Sequence, residues 1–151
     1  MPRYSVFGSA GAASATAATA GIMKVDNAAT LLSVPAIYEW SIGPGAASED
    51  STYAVQLKRQ TTAGTWTGVT PSPLDTASAA SQATAGRVST AAGTAGVVLG
   101  TWGFHQRGGI RWVAVPGGEF IVNRANSNGI ILEYKTVQGT AINEANILFF
   151  E

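Results

Sequence analysis

Apolar and polar residues alternate with a period of two in segment after segment of this chain, a pattern that predicts strands. In residues 35–43 (PAIYEWSIG) Ala36, Tyr38, Trp40 and Ile42 fall on one face and Glu39 and Ser41 on the other, and Gly43-Pro44-Gly45 reads as the stop. Residues 52–62 (TYAVQLKRQTT) alternate again, with Tyr53, Val55 and Leu57 inward and Gln56, Lys58 and Gln60 outward. Ala63-Gly64 then turns the chain into residues 65–70. Shorter strands are expected at 3–7, at 22–25 and 29–34 around an Asp26-Asn27 turn, and at an edge in 87–92. The last two runs are 129–137, with Ile130, Leu132 and Tyr134 on one face, and 141–151, with Ile147 and Phe149 aligned.

Residues 96–122 (GVVLGTWGFHQRGGIRWVAVPGGEFIV) hold the densest apolar and aromatic content and read as a β-meander. Gly108-Gly109 is a strong two-residue hairpin signal between 97–106 and 110–115. That register sets His105 opposite Trp112, Phe104 opposite Val113 and Trp102 opposite Val115. One face then shows His105, Trp112, Ile110 and Ala114, the other Trp102, Phe104, Val113 and Val115. Neither is an ordinary solvent face, so a core is expected on one side and a partner chain on the other. Trp102 and Trp112 are placed on opposite sides of the hairpin.

Two segments depart from alternation. Residues 71–86 frame a helix, with Ser72 as cap, Pro73 at the first helical position, Asp75 three residues after the cap and Gly86 as the stop. The frame encloses few large apolar residues, which leaves a short surface helix or an ordered loop. Residues 8–21 (GSAGAASATAATAG) carry no large side chain and are expected to be an arm, mobile or laid on a neighbour. The division expected is therefore an arm at 1–21 and a single all-β domain at 22–151, a sandwich or barrel with at most one short helix. On that division, removing 1–21 leaves the domain folded.

Composition narrows the function. The chain has 151 residues and no cysteine, which excludes disulfides, thiolate metal sites and a cysteine nucleophile. Nine basic and nine acidic residues cancel, and only 12% of the chain is charged, about half the usual share. Such a surface is a poor fit to nucleic acid, whose phosphates demand clustered Lys and Arg. It suits packing against other protein. No run approaches the roughly 20 apolar residues of a membrane-spanning helix, and the opening residues lack the apolar centre of a signal peptide.

Candidate chemistry thins out on inspection. His105 is the single histidine, too few for a typical zinc site, and no serine sits in a nucleophile elbow that it would serve. It reads as a strand histidine bonded to a neighbour, or as a contact that responds to pH. Glu39, Glu119 and Glu133 could supply a glycosidase pair, yet each occupies a strand position where an outward carboxylate is ordinary. Gly108-Gly109 and Gly117-Gly118 fit no phosphate-loop frame. Trp66, between Thr65 and Thr67 in a glycine-punctuated hairpin, is the best exposed aromatic for a sugar. Arg107 and Arg111 flank the central turn, either solvated or paired with carboxylates of an adjoining subunit. No catalytic residue, metal or cofactor is expected.

The combination HQRGGIRWVAVPGGEFIV, preceded by TWTGVTPSPLD and followed by Gly129-Ile130, resembles small virion structural proteins of tailed bacteriophages, in particular capsid cement or decoration proteins. The resemblance spans residues 65–134. It implies a jelly-roll-like antiparallel β-sandwich, a homotrimer on the outer capsid surface at local threefold positions, and the major capsid protein as partner. Nucleic acid and membrane are not among the expected partners. The residues expected at a subunit or capsid contact are Trp102, Phe104, His105, Arg107, Arg111, Trp112, Phe149 and Phe150, with Trp66 as a candidate ligand contact. The alternatives are a head-fibre or tail domain that binds host glycan, and a small β-sandwich hydrolase.

Overall fold

Twelve strands, and no helix among the described residues, account for the regular structure: β1 (Arg3–Ala12), β2 (Gly21–Asp26), β3 (Ala36–Ala47), β4 (Thr52–Gln60), β5 (Thr65–Val69), β6 (Ser72–Pro73), β7 (Thr84–Ala91), β8 (Ala95–His105), β9 (Ile110–Val113), β10 (Phe120–Ile121), β11 (Ile130–Val137) and β12 (Ile142–Phe150). The computed structural model describes residues 1–12, 20–27, 33–47, 49–91, 93–123, 129–137 and 142–151. All the pairings are antiparallel, and they form two six-stranded sheets packed as a β-sandwich. One sheet, A, runs β10-β3-β12-β1-β6, with β9 also on β3; the other, B, runs β5-β7-β2-β11-β4-β8.

The alternating segments turn their apolar set into the space between the sheets. Tyr53, Val55 and Leu57 of β4, Leu132 and Ile130 of β11 and Ile147 and Phe149 of β12 are all at most 2% exposed. Burial of this kind contributes about 1.5–3 kcal/mol for each large side chain and is the main force holding the sheets face to face. On the outer face of sheet B, Ile131 pairs with Lys24 on one side and Lys58 on the other, and both Lys24 and Ile131 are buried. The two lysine stems flank it, while the ammonium groups are held by Asp26 and Glu133.

Several expectations are corrected. β3 does not stop at Gly43-Pro44-Gly45 but continues to Ala47. It also carries an extra residue at Tyr38, because Ile37 pairs with Phe149 and Glu39 with Leu148. That bulge turns Ile37 into the core and Tyr38 outward, where alternation alone had put Tyr38 beside Trp40. Gln60, expected outward, is buried. β7 lies between β5 and β2 rather than at an edge. The helix framed at Ser72 does not form: Ser72–Pro73 pairs with β1, and Asp75 instead closes a turn by accepting from the Ala77 and Ser78 amides. The expected strand at 29–34 falls largely on residues outside those described.

The first part of the expected arm is a strand of sheet A. β1 pairs with β12 from Arg3 to Ala12, and Tyr4, Val6 and Ala10 are core residues. Residues 13–19 lie outside those described. Gly8 and Gly11 of β1 approach Arg87 and Val88 of β7, so β1 also closes this side of the sandwich.

The meander is the largest correction. β8 pairs with β4 in sheet B and β9 pairs with β3 in sheet A, so Gly108-Gly109 belongs to a crossing between sheets and not to a hairpin within one. The physical reason is the competition for partners: β4 pairs with β8 along almost its whole length, and β9 instead extends the opposite sheet by pairing with β3, which sets Trp112 beside Trp40 of the core.

Candidate functional site

The crossing from β8 to β9 builds the side of the sandwich where chemistry and exposure concentrate. Gln106 has a buried side chain that accepts from the Glu49 amide, and its own amide donates to the Ser51 carbonyl (3.0 Å). The amides of Gly108 and Gly109 both donate to the His105 carbonyl (3.0 Å each). Gly109 adopts φ +61° and sits so close to the Ile42 carbonyl that a side chain there would collide with it.

The crossing brings Trp102 and Trp112 together between the sheets, their rings tilted at 57°, instead of on opposite sides of a hairpin. Their ring centroids are 6.4 Å apart. Trp40, fully buried on β3, meets Trp102 edge-on at 4.9 Å, and Trp112 stacks on Phe120 at 4.7 Å. The Trp102 indole folds back over Gly100, in the space a side chain there would need. These four rings plug the gap between β8 of sheet B and the β9–β10 edge of sheet A. Trp102, Trp112 and Phe120 remain half-buried. The Arg59 guanidinium of β4 donates to the Ile121 carbonyl of β10 (3.0 Å), a second tie between the two sheets.

Along the two edges that border this plug, exposed apolar side chains stand beside charged ones such as Arg111. Val97 and Val98 of β8, Val113 of β9, Val115 just after it and Ile121 of β10 are exposed, Val97 by 68% and Val115 by 73%. Elsewhere among the described residues the exposed large apolar side chains are Met1, Phe7 and Leu74.

The other expected contact residues distribute unevenly. His105 is exposed, with Nε2 2.8 Å from Asp50 Oδ1. Arg107 is exposed at the same turn. Arg111 pairs within its own chain, Nε and Nη2 donating to the two Glu39 carboxylate oxygens at 2.7 and 2.8 Å. That hydrogen bonding holds the Glu39 carboxyl below its ordinary value, against the opposing effect of partial burial. Phe104 and Phe149 are core residues, on Tyr53 and Tyr4 respectively, and are corrected as contact candidates because their strand parity points inward. Phe150 faces outward, stacked on Tyr38 at 5.8 Å, and burial raises the Tyr38 hydroxyl. Trp66 lies across Gly21 and Gly86 on the outer face of sheet B with Lys24 Nζ 5.7 Å from its ring, half-buried and not projecting.

The three glutamates are not brought together. Glu39 serves Arg111, Glu133 serves Lys58, and Glu119 accepts from the Gly117 amide (3.2 Å). Among the described residues no group of three or more His, Asp or Glu side chains is placed to hold a metal ion. Sequence reasoning found Trp102 and Trp112 but missed Trp40 and Phe120 as their neighbours. The Gly100-x-Trp102 spacing was the available signal, since residues two apart on a strand share a face and a glycine leaves room for a large ring beside it.

Comparison with known protein families, curated proteins and solved structures gives no match for this chain.

Proposed function

We propose that the chain is a non-enzymatic virion structural protein, a decoration protein that binds the outside of a tailed-phage head and bridges subunits of the major capsid protein. The observation that carries the reading is that five of the eight exposed large apolar side chains among the described residues, four valines and Ile121, lie on or next to the strands bordering the half-buried aromatic plug of a charge-poor protein. Exposed apolar area gathered along neighbouring strand edges marks a protein contact, and low charge lowers the desolvation that such a contact costs. A bridging protein works by buried area and shape at many identical sites and needs no reacting group.

The test is cosedimentation of the purified chain with heads of the phage or prophage that encodes it. Saturable binding at a fixed ratio to the capsid protein, lost in a Val113→Lys, Val115→Lys double variant that keeps its fold, is the expected result. Absence of binding together with specific retention on a glycan array, lost in Trp66→Ala, would replace this reading by the head-fibre or tail receptor-binding one.

A further inference from the structure

We propose that the open edge of β8 pairs with the same strand of a second copy, antiparallel about a two-fold axis at Gly103, joining two six-stranded sheets B into one. The edge itself carries this pairing, independently of the capsid reading.

Among the described strands each sheet ends in two edges, and three of the four are blunted. In sheet A, β6 is two residues long and contains Pro73, and the opposite edge is split into β9 and β10 by the turn through Pro116. In sheet B, β5 has five residues. Natural sheets keep edges short, charged or interrupted by proline because unpaired amides and carbonyls template another strand. β8 has eleven residues, no proline, and no charged side chain from Ala95 to Phe104.

The regular part of this edge runs from Gly100 to His105. Register with β4 is unbroken there, from Leu57↔Gly100 to Thr52↔His105, while an extra residue at Leu99 bends the strand before it. Along the regular run Trp102 and Phe104 turn inward and Thr101, Gly103 and His105 outward. An unpaired strand edge is recognised chiefly through its backbone, so the occupant must itself be an extended strand. A second copy supplies one at the same concentration. On a two-fold axis the central residue meets its own duplicate and its neighbours meet each other's, so a charge there would face a like charge, and β8 carries none from Ala95 to Phe104. The second strand would cover the exposed flank of Trp102. Exposed Val97 and Val98 on the same strand add to a contact that needs roughly 1,000 Å² to be specific. This contact is two-fold and therefore distinct from the threefold association that the family resemblance implies.

Gly103 is the place to test it. It is exposed, its φ is not in the left-handed region, and a Cβ there would meet only the Tyr53 carbonyl at 3.9 Å, an ordinary distance, so Gly103→Lys and Gly103→Glu are compatible with the folded chain. Analytical ultracentrifugation of the full chain is expected to give twice the 15.4 kDa chain mass. Each variant alone should sediment at the single-chain mass with an unchanged far-ultraviolet circular dichroism spectrum, and a one-to-one mixture should return to the doubled mass. If the Gly103 variants lose their fold, Thr101→Lys and Thr101→Glu serve the same comparison. A wild-type chain that stays single across the accessible concentration range, a wild-type trimer, or a folded lysine variant that keeps the wild-type mass would overturn the proposal.

Discussion

At Gly100 the space of a missing side chain is filled by the Trp102 indole, so the smallest residue of the strand positions one of the largest. Gly100→Ala should force that ring off its seat and cost about 1–3 kcal/mol, the range of core overpacking, read as a lower urea midpoint with altered tryptophan fluorescence. An unchanged midpoint would show that the ring is not held there. Tyr134 gives a second residue-level expectation. Burial raises its hydroxyl from 10.0 to about 12, partly offset by the hydrogen bond donated from Asn143 Nδ2 (2.8 Å). The folded chain therefore holds this proton more tightly than the unfolded one. Its contribution is full below pH 10 and is lost as pH rises toward about 12. Measured as the difference between wild type and Tyr134→Phe, the effect should approach roughly 3 kcal/mol, two pKa units at 1.36 kcal/mol each. Glu39 has the opposite sign: its carboxyl is lowered by Arg111, so that stability is present at neutral pH and lost in acid. Arg111→Ala should flatten the acid limb of the urea midpoint against pH. None of these settings was legible in the sequence except the Gly100-x-Trp102 spacing, because each depends on a neighbour from another strand.

At the scale of elements, the turn after His105 separates what alternation can and cannot say. Both flanking runs were legible as strands, but pairing is a contest among all strands, and a Gly-Gly turn serves a crossing as well as a hairpin. Gly109 carries the crossing, with φ +61° beside the Ile42 carbonyl. Gly109→Ala should cost about 1–3 kcal/mol from backbone strain and raise the unfolding rate, where a permissive hairpin position would tolerate it. The aromatic plug gives a graded comparison. Trp40, with no exposed surface, should lose about 3–5 kcal/mol on replacement by alanine, and half-buried Trp112 on the short edge strand β9 about half of that. Equal losses in urea unfolding would place Trp112 in a core deeper than its exposure indicates. The bulge at Tyr38 is the other case where period-two reading failed, since one extra residue reverses the parity between the two halves of the strand and leaves no mark in composition.

For the whole molecule, the N-terminal segment changes meaning. β1 lies between β12 and β6 and sends Tyr4 and Val6 into the core, so deleting residues 1–21 should abolish the cooperative unfolding transition instead of releasing a folded domain. A truncated chain that unfolds cooperatively in differential scanning calorimetry would return the segment to the status of an arm. The sequence by itself determined the all-β class, the inward faces of β4, β11 and β12, and the apolar, charge-poor character of the region between Val97 and Ile121. These follow from local alternation and from composition, which need no partner to be read. Only the tertiary structure decided that β8 and β9 part into opposite sheets, that Trp102 meets Trp40 and Trp112, and that β8 is left as the one long open edge among the described strands. Those outcomes arise because backbone hydrogen bonding is satisfied strand against strand across the whole chain, so each strand's partner is set by every other strand's alternatives.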